Sequence, residues 1–157
     1  MNTCSPLHLS AAFKRYYDQL RDPTFPTATT PLHVAVLNND YKRVHRLLTK
    51  EGVDPHVTNQ TGCSVLNHAA LLGHVKICEL LISTGVSINS AAYDGSTPLH
   101  KAAQGGHTDV VQLLLLKGAD PYAKGDSAYT IASHRNHVQT AILLYPYSVV
   151  QDDKSLE

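Results

Sequence analysis

The 157-residue chain has no excess of charge of either sign, since thirteen Lys and Arg face thirteen Asp and Glu. Without a global field to attract a polyanion, nucleic acid and anionic membrane are disfavoured as partners. No apolar run approaches the ~20 residues needed to cross a bilayer. The opening stretch MNTCSPLHLSAAFKRYYDQLRD lacks the basic-then-apolar order of a secretory signal. Cysteine is scarce: Cys4, Cys63 and Cys78 are odd in number and far apart. That excludes a disulfide framework and a paired-cysteine zinc knuckle, and points to a reducing compartment, cytoplasm or nucleus. Also missing are the phosphate loop GxxxxGK[ST], the zinc helix HExxH and the nucleophile elbow GxSxG.

What is present is an ordinary globular balance, 43% apolar and 17% charged residues, on a chain long enough for one domain. It is also periodic. TPLHVAVLNND at 30–40 returns as SVLNHAALLGH at 64–74, as TPLHKAAQGGH at 97–107 and, more weakly, as SAYTIASHRNH at 127–137. The anchors Thr30, Ser64, Thr97 and Ser127 are spaced by 34, 33 and 30 residues. All four are hydroxyl residues able to cap a helix N-terminus. Pro31 and Pro98 follow where a missing N–H costs nothing. Each short first helix is expected to end at Asn39, Gly73, Gly106 or Asn136, residues that tolerate a left-handed turn. A second apolar-striped helix follows, closed by Gly52, Gly85 or Gly118 in the first three units. Such a unit cannot bury its own apolar face and is stable only when stacked.

A TPLHxA signature at a period near 33, with GVDP and GADP at matching offsets, resembles the ankyrin repeat. The resemblance covers about residues 25–145 and implies an all-α solenoid of stacked helix–turn–helix units with β-hairpin or loop fingers. The expected organisation is a capping helix at 1–24, repeats at 25–58, 59–91, 92–121 and 122–145, and a flexible tail at 146–157. Leu9, Phe13, Tyr16, Tyr17 and Leu20 form one helical stripe that would cover repeat one. Repeat four reads as the polar, solvated last unit, with Pro146 ending its second helix. Two departures stand out. Tyr129 and Thr130 replace the signature Leu and His in repeat four, whose preceding loop is about three residues short. Repeat one carries an extra residue near TKEG, either a longer second helix or a bulged exit.

Ten histidines invite a catalytic or metal reading, but His33 and His100 recur at one repeat position and His74, His107 and His137 at another. By resemblance, His33 and His100 hydrogen-bond backbone and hold neighbouring loops together; Thr30, Thr97, Gly73 and Gly106 are structural with them. The second set is expected to cap or pack at the inter-helix turn. No histidine pair has a cysteine or carboxylate to complete a zinc site, so no metal and no cofactor is expected. Cys63 precedes a helix cap but has no assignable base, and Cys78 reads as a small core residue; no enzyme is expected.

What remains is a surface. The resemblance implies a concave partner-binding face: Thr61, Tyr93 and Asp94 on the fingers, with Leu71, Leu72, Lys101, Gln104, His134 and Arg135 on inner helices. Leu71 and Leu72 beside Tyr93 would form an apolar anchor within a charged rim. Asn89, eight residues after Leu81, matches the arrangement in which ankyrin asparagines are hydroxylated, or else bonds backbone to steady its loop. The expected function is a monomeric, non-enzymatic adaptor for another protein. Alternatives are an inhibitor of a partner enzyme, resembling the small ankyrin inhibitors of cyclin-dependent kinases, and a targeting domain of a bacterial effector or larger signalling protein. The complete first helix of repeat two argues against the inhibitor reading, because those inhibitors shorten it.

Overall fold

The computed structural model describes residues 30–123 and 126–148. The capping helix expected at 1–24 and the tail from 149 onward lie outside the described residues. Eight helices run along the described chain: α1 (Pro31–Leu37), α2 (Tyr41–Thr49), α3 (Val65–Leu72), α4 (Val75–Ser83), α5 (Pro98–Gly105), α6 (Thr108–Leu116), α7 (Ala128–His134) and α8 (Val138–Ser148). They pair as hairpins, and the pairs stack in two rows, α1, α3, α5, α7 and α2, α4, α6, α8.

Each row is held by a column of residues repeated once per unit. In the first row Ala35, Ala69, Ala102 and Ala132 are all at most 1% exposed. Their small side chains let successive helices approach closely. In the second row Leu47, Leu81, Leu114 and Leu144 fill the space between the layers, none more than 2% exposed. Burying one such leucine contributes ~1.5–3 kcal/mol, so the core is a sum of similar layers rather than one central cluster.

Local signals set the helix ends. The side chains of Thr30, Ser64 and Ser127 accept the N–H three residues on, in α1, α3 and α7. The four corners are left-handed, with φ of 54° at Asn39, 75° at Gly73, 72° at Gly106 and 58° at Asn136. Ser64 also takes a hydrogen bond from the Ser90 hydroxyl at 3.3 Å. Ser64→Ala is therefore expected to lower stability by about 1 kcal/mol, read as a fall in the urea midpoint with an unchanged slope.

Three expectations need correction or a choice. The extra residue of repeat one does not lengthen α2, which spans nine residues like α4 and α6. It sits in a bulged exit, where Glu51 N–H reaches back five residues to the Arg46 carbonyl at 3.2 Å. Pro146 does not end α8, which continues through it to Ser148. Tyr129–Tyr145 and Tyr122–Tyr147 ring contacts, with centroids 5.8 and 6.4 Å apart, pin the helix on both sides of the proline. Repeat four is not a polar end either. Val138, Ile142 and Tyr145 are 62%, 61% and 56% exposed and border an open groove of about 380 Å³. These positions lie on the end of the stack, where no further described unit covers them.

Candidate partner-binding face

The fingers are turns rather than strands; among the described residues only Thr58 and Ser64 form a β-bridge. Their shape comes from side chains folding back on their own backbone. Asn59 Oδ1 accepts from Thr61 N–H at 3.0 Å, Thr61 O–H at 2.7 Å and Cys63 N–H at 2.9 Å. In the next finger Asp94 Oδ1 accepts from the Ser96 N–H at 2.9 Å and from the Ser96 hydroxyl. The two fingers join where Tyr93 N–H donates to the Thr61 carbonyl at 3.0 Å. The Tyr93 ring then lies over Gly62, where a Cβ would come within 2.6 Å of a ring carbon. One ring face is seated and the other is open, so Tyr93 remains 81% exposed.

Behind Tyr93, Lys101 Nζ of α5 donates to Asp94 Oδ2 at 3.3 Å, the single ion pair among the described residues. Hydrogen bonds from Ser96, and then the Lys101 ammonium, hold the Asp94 carboxyl down at about 2. Lys101 and Gln104 open onto a shallow polar depression of about 200 Å³ shared with Asp94 and Asp126. Thr61, Tyr93, Asp94, Lys101 and Gln104 are thus one continuous patch across two fingers and α5. His134 and Arg135 are exposed at the end of α7, on the neighbouring unit.

Leu71 does not belong to this patch. It is 7% exposed, and its carbonyl accepts a hydrogen bond from His107 Nε2 at 3.0 Å. The reason is Gly105: a Cβ there would meet the Leu71 carbonyl, so its absence lets the end of α5 close over Leu71. Leu72 is half-buried. The expected double-leucine anchor is absent, and Tyr93 is the large apolar side chain that the patch offers. Sequence reasoning also missed Asn59, whose signal is an Asn two residues before a Thr–Gly turn.

The histidines at the repeat positions belong to the scaffold. His33 Nδ1 accepts from the Thr30 hydroxyl at 2.9 Å, and Nε2–H donates to the Cys63 carbonyl of the next unit at 3.4 Å. Burial, then the His68 ring 5.3 Å away, lowers His33 to about 4. His100 Nδ1 accepts the Thr97 N–H at 3.1 Å. Asp126, one residue before the Ser127 cap as Cys63 is before Ser64, supplies the counterpart backbone contact, which raises His100 against the larger effect of burial. His107 and His137 lie over the left-handed glycines Gly73 and Gly106, and His137 Nε2–H donates to the Gln104 carbonyl at 3.1 Å. Asn89 Oδ1 accepts the Asp120 N–H of the next unit at 2.8 Å, a loop-steadying role. Cys63 and Cys78 are buried and unpaired, and burial pushes the Cys78 thiol up to about 12. No three His, Cys, Asp or Glu side chains converge as metal ligands among the described residues.

A family model described as ankyrin repeats, in three copies, matches residues 32–125. The chain belongs to the ankyrin-repeat family. That match spans α1 to the loop after α6, so the family's layered unit accounts for three of the hairpins described above. A fourth hairpin, α7–α8, lies outside that match and has the same kind of cap and left-handed corner, at Ser127 and Asn136. Ankyrin repeats are generally non-catalytic protein–protein interaction modules. No curated protein matches the chain at a significant level. No helix among the described residues is long and apolar enough to cross a membrane.

Proposed function

We propose that the protein is a non-enzymatic adaptor that binds a partner protein through the finger side of its ankyrin stack. Thr61, Tyr93, Asp94, Lys101 and Gln104 form its centre, with His134 and Arg135 at the rim. The observation that carries this reading is Tyr93, a large ring held in place over Gly62 yet 81% exposed. An aromatic side chain ordered before binding loses little rotamer freedom on contact, and its open face adds apolar area. The Asp94–Lys101 pair supplies charges whose positions are fixed by Ser96 and α5. The full-length α3, eight residues like α5, supports the adaptor over an inhibitor with a shortened helix. Two buried unpaired cysteines support a reducing compartment.

The test is a capture experiment with three variants. A partner held by the wild type should be lost with Tyr93→Ala and with Lys101→Glu, each weakening binding by about 2 kcal/mol or more, roughly 30-fold. It should be retained by Ile142→Lys on the apolar end of repeat four. The reverse pattern, loss with Ile142→Lys alone, would move the binding face to the end of the stack.

A further inference from the structure

The outer helix of repeat one carries charge in a pattern unlike the rest of the chain. Lys42, Arg43, Arg46 and Lys50, four of the thirteen Lys and Arg residues, fall within nine consecutive positions containing no Asp or Glu. At about 100° per residue they share an arc of about 100° on α2 and its C-cap, a stripe about 12 Å long. All four are exposed, and none forms an ion pair among the described residues. The α2 face opposite them is occupied by Val44 and Leu47, both buried. Tyr41 stacked on His45, with centroids 6.2 Å apart, closes one edge.

This arrangement works against the helix. Lys42–Arg46 and Arg46–Lys50 are like-charge pairs at i,i+4, which destabilise a helix. Where α2 has Arg43 and Arg46, the next two outer helices have Ile77 and Leu80, then Val110 and Leu113, all buried or half-buried. A terminal repeat needs a polar outer face, but mixed charges would supply polarity without repulsion. Four cations on one stripe, without an ion pair among the described residues, break a local rule, and such breaks concentrate where a surface has a task.

We propose that this stripe is a second docking surface, independent of the finger side, for a short acidic segment of a partner protein. Its length selects the ligand class. In sequence, Asp40 precedes it, and Glu51 and Asp54 follow it. About four extended residues fit within about 12 Å. A nucleic-acid backbone or a membrane plane would run past both ends, where the chain turns acidic in sequence.

The experiment uses the full chain and a fluorescein-labelled peptide containing four consecutive Glu residues, followed by anisotropy. Its Gln counterpart, a labelled single-stranded oligonucleotide and vesicles with phosphatidylserine are the comparison probes. The Glu peptide should bind, weaken severalfold with rising salt, and lose affinity about tenfold or more in Lys42→Gln/Arg46→Gln. That variant should melt at the same temperature as the wild type or higher, because repulsion has been removed. Lys42→Arg/Arg46→Lys should keep binding, and so should Tyr93→Ala. The proposal is overturned if the Glu peptide does not bind, or binds the Gln variant equally well. It is overturned equally if oligonucleotide or vesicles bind more tightly than the peptide, or if Tyr93→Ala abolishes peptide binding.

Discussion

Acidification from pH 7.5 to 5 is expected to remove about 3 kcal/mol of stability through His33 and His74 alone. Both are lowered from 6.5 to about 4 in the fold, His33 by burial and then by His68, His74 by burial and then by His107. A histidine whose folded value is depressed favours the neutral form of the fold. Above about 6.5 both states are neutral, and the contribution is fully present. As the pH falls below that, the unfolded chain takes up protons that the folded chain refuses, and stability drops until about 4. At pH 5 that linkage is worth about 2 kcal/mol for the fully buried His33, and less for the half-buried His74. His68, His100 and His107 are lowered as well, chiefly by burial, and add in the same direction. Urea midpoints measured at pH 7.5, 6.5, 5.5 and 5.0 check this, and a midpoint constant across that range would refute it. His33→Asn is expected to flatten the profile below about 6.5 and to be tolerated by the fold, since the chain itself has Asn67 at that repeat position.

The caps and the corners were legible in the sequence because each recurs once per unit. Thr30, Ser64, Thr97 and Ser127 announce helix starts, and Asn39, Gly73, Gly106 and Asn136 announce left-handed corners, whatever the neighbours do. What was not legible depends on contact between units. Leu71 reads as an exposed anchor until Gly105, on the next repeat, is seen to close over it. Repeat four reads as polar when Ser133, His134, Arg135, Asn136, Gln139 and Thr140 are counted along the chain. Yet Thr140 is buried, its hydroxyl 2.9 Å from that of Thr108, and Ile142 and Tyr145 face outward. Pro146 reads as a stop because local rules favour one, and the flanking tyrosine contacts override them. Within the candidate face, Tyr93, Asp94, Lys101 and Gln104 could be picked out because the resemblance places their positions on the fingers and inner helices. Their mutual contacts could not, because those depend on how far one finger leans on the next.

The second large effect concerns those between-unit contacts. Gly73→Ala is expected to cost about 2–3 kcal/mol, more than an exposed corner warrants. Part is intrinsic: φ of 75° at Gly73 costs an alanine ~1–2 kcal/mol. The rest comes from the following repeat. The His107 ring lies against Gly73, so a new Cβ displaces it from the Leu71 carbonyl 3.0 Å away, at a further cost of about 1 kcal/mol. Repeat one shows the outcome of the displacement. Its corner is Asn39, which has a Cβ, and the corresponding histidine, His74, has a buried Nε2 with no hydrogen-bond partner. A double-mutant cycle separates the two parts. In a His107→Ala background, Gly73→Ala should cost only the backbone strain, leaving a coupling of about 1 kcal/mol; additive costs would show that ring and glycine act independently. The reciprocal change, Asn39→Gly, should stabilise the protein by about 0.5–1 kcal/mol by relieving the corner and giving His74 the seat that His107 and His137 occupy.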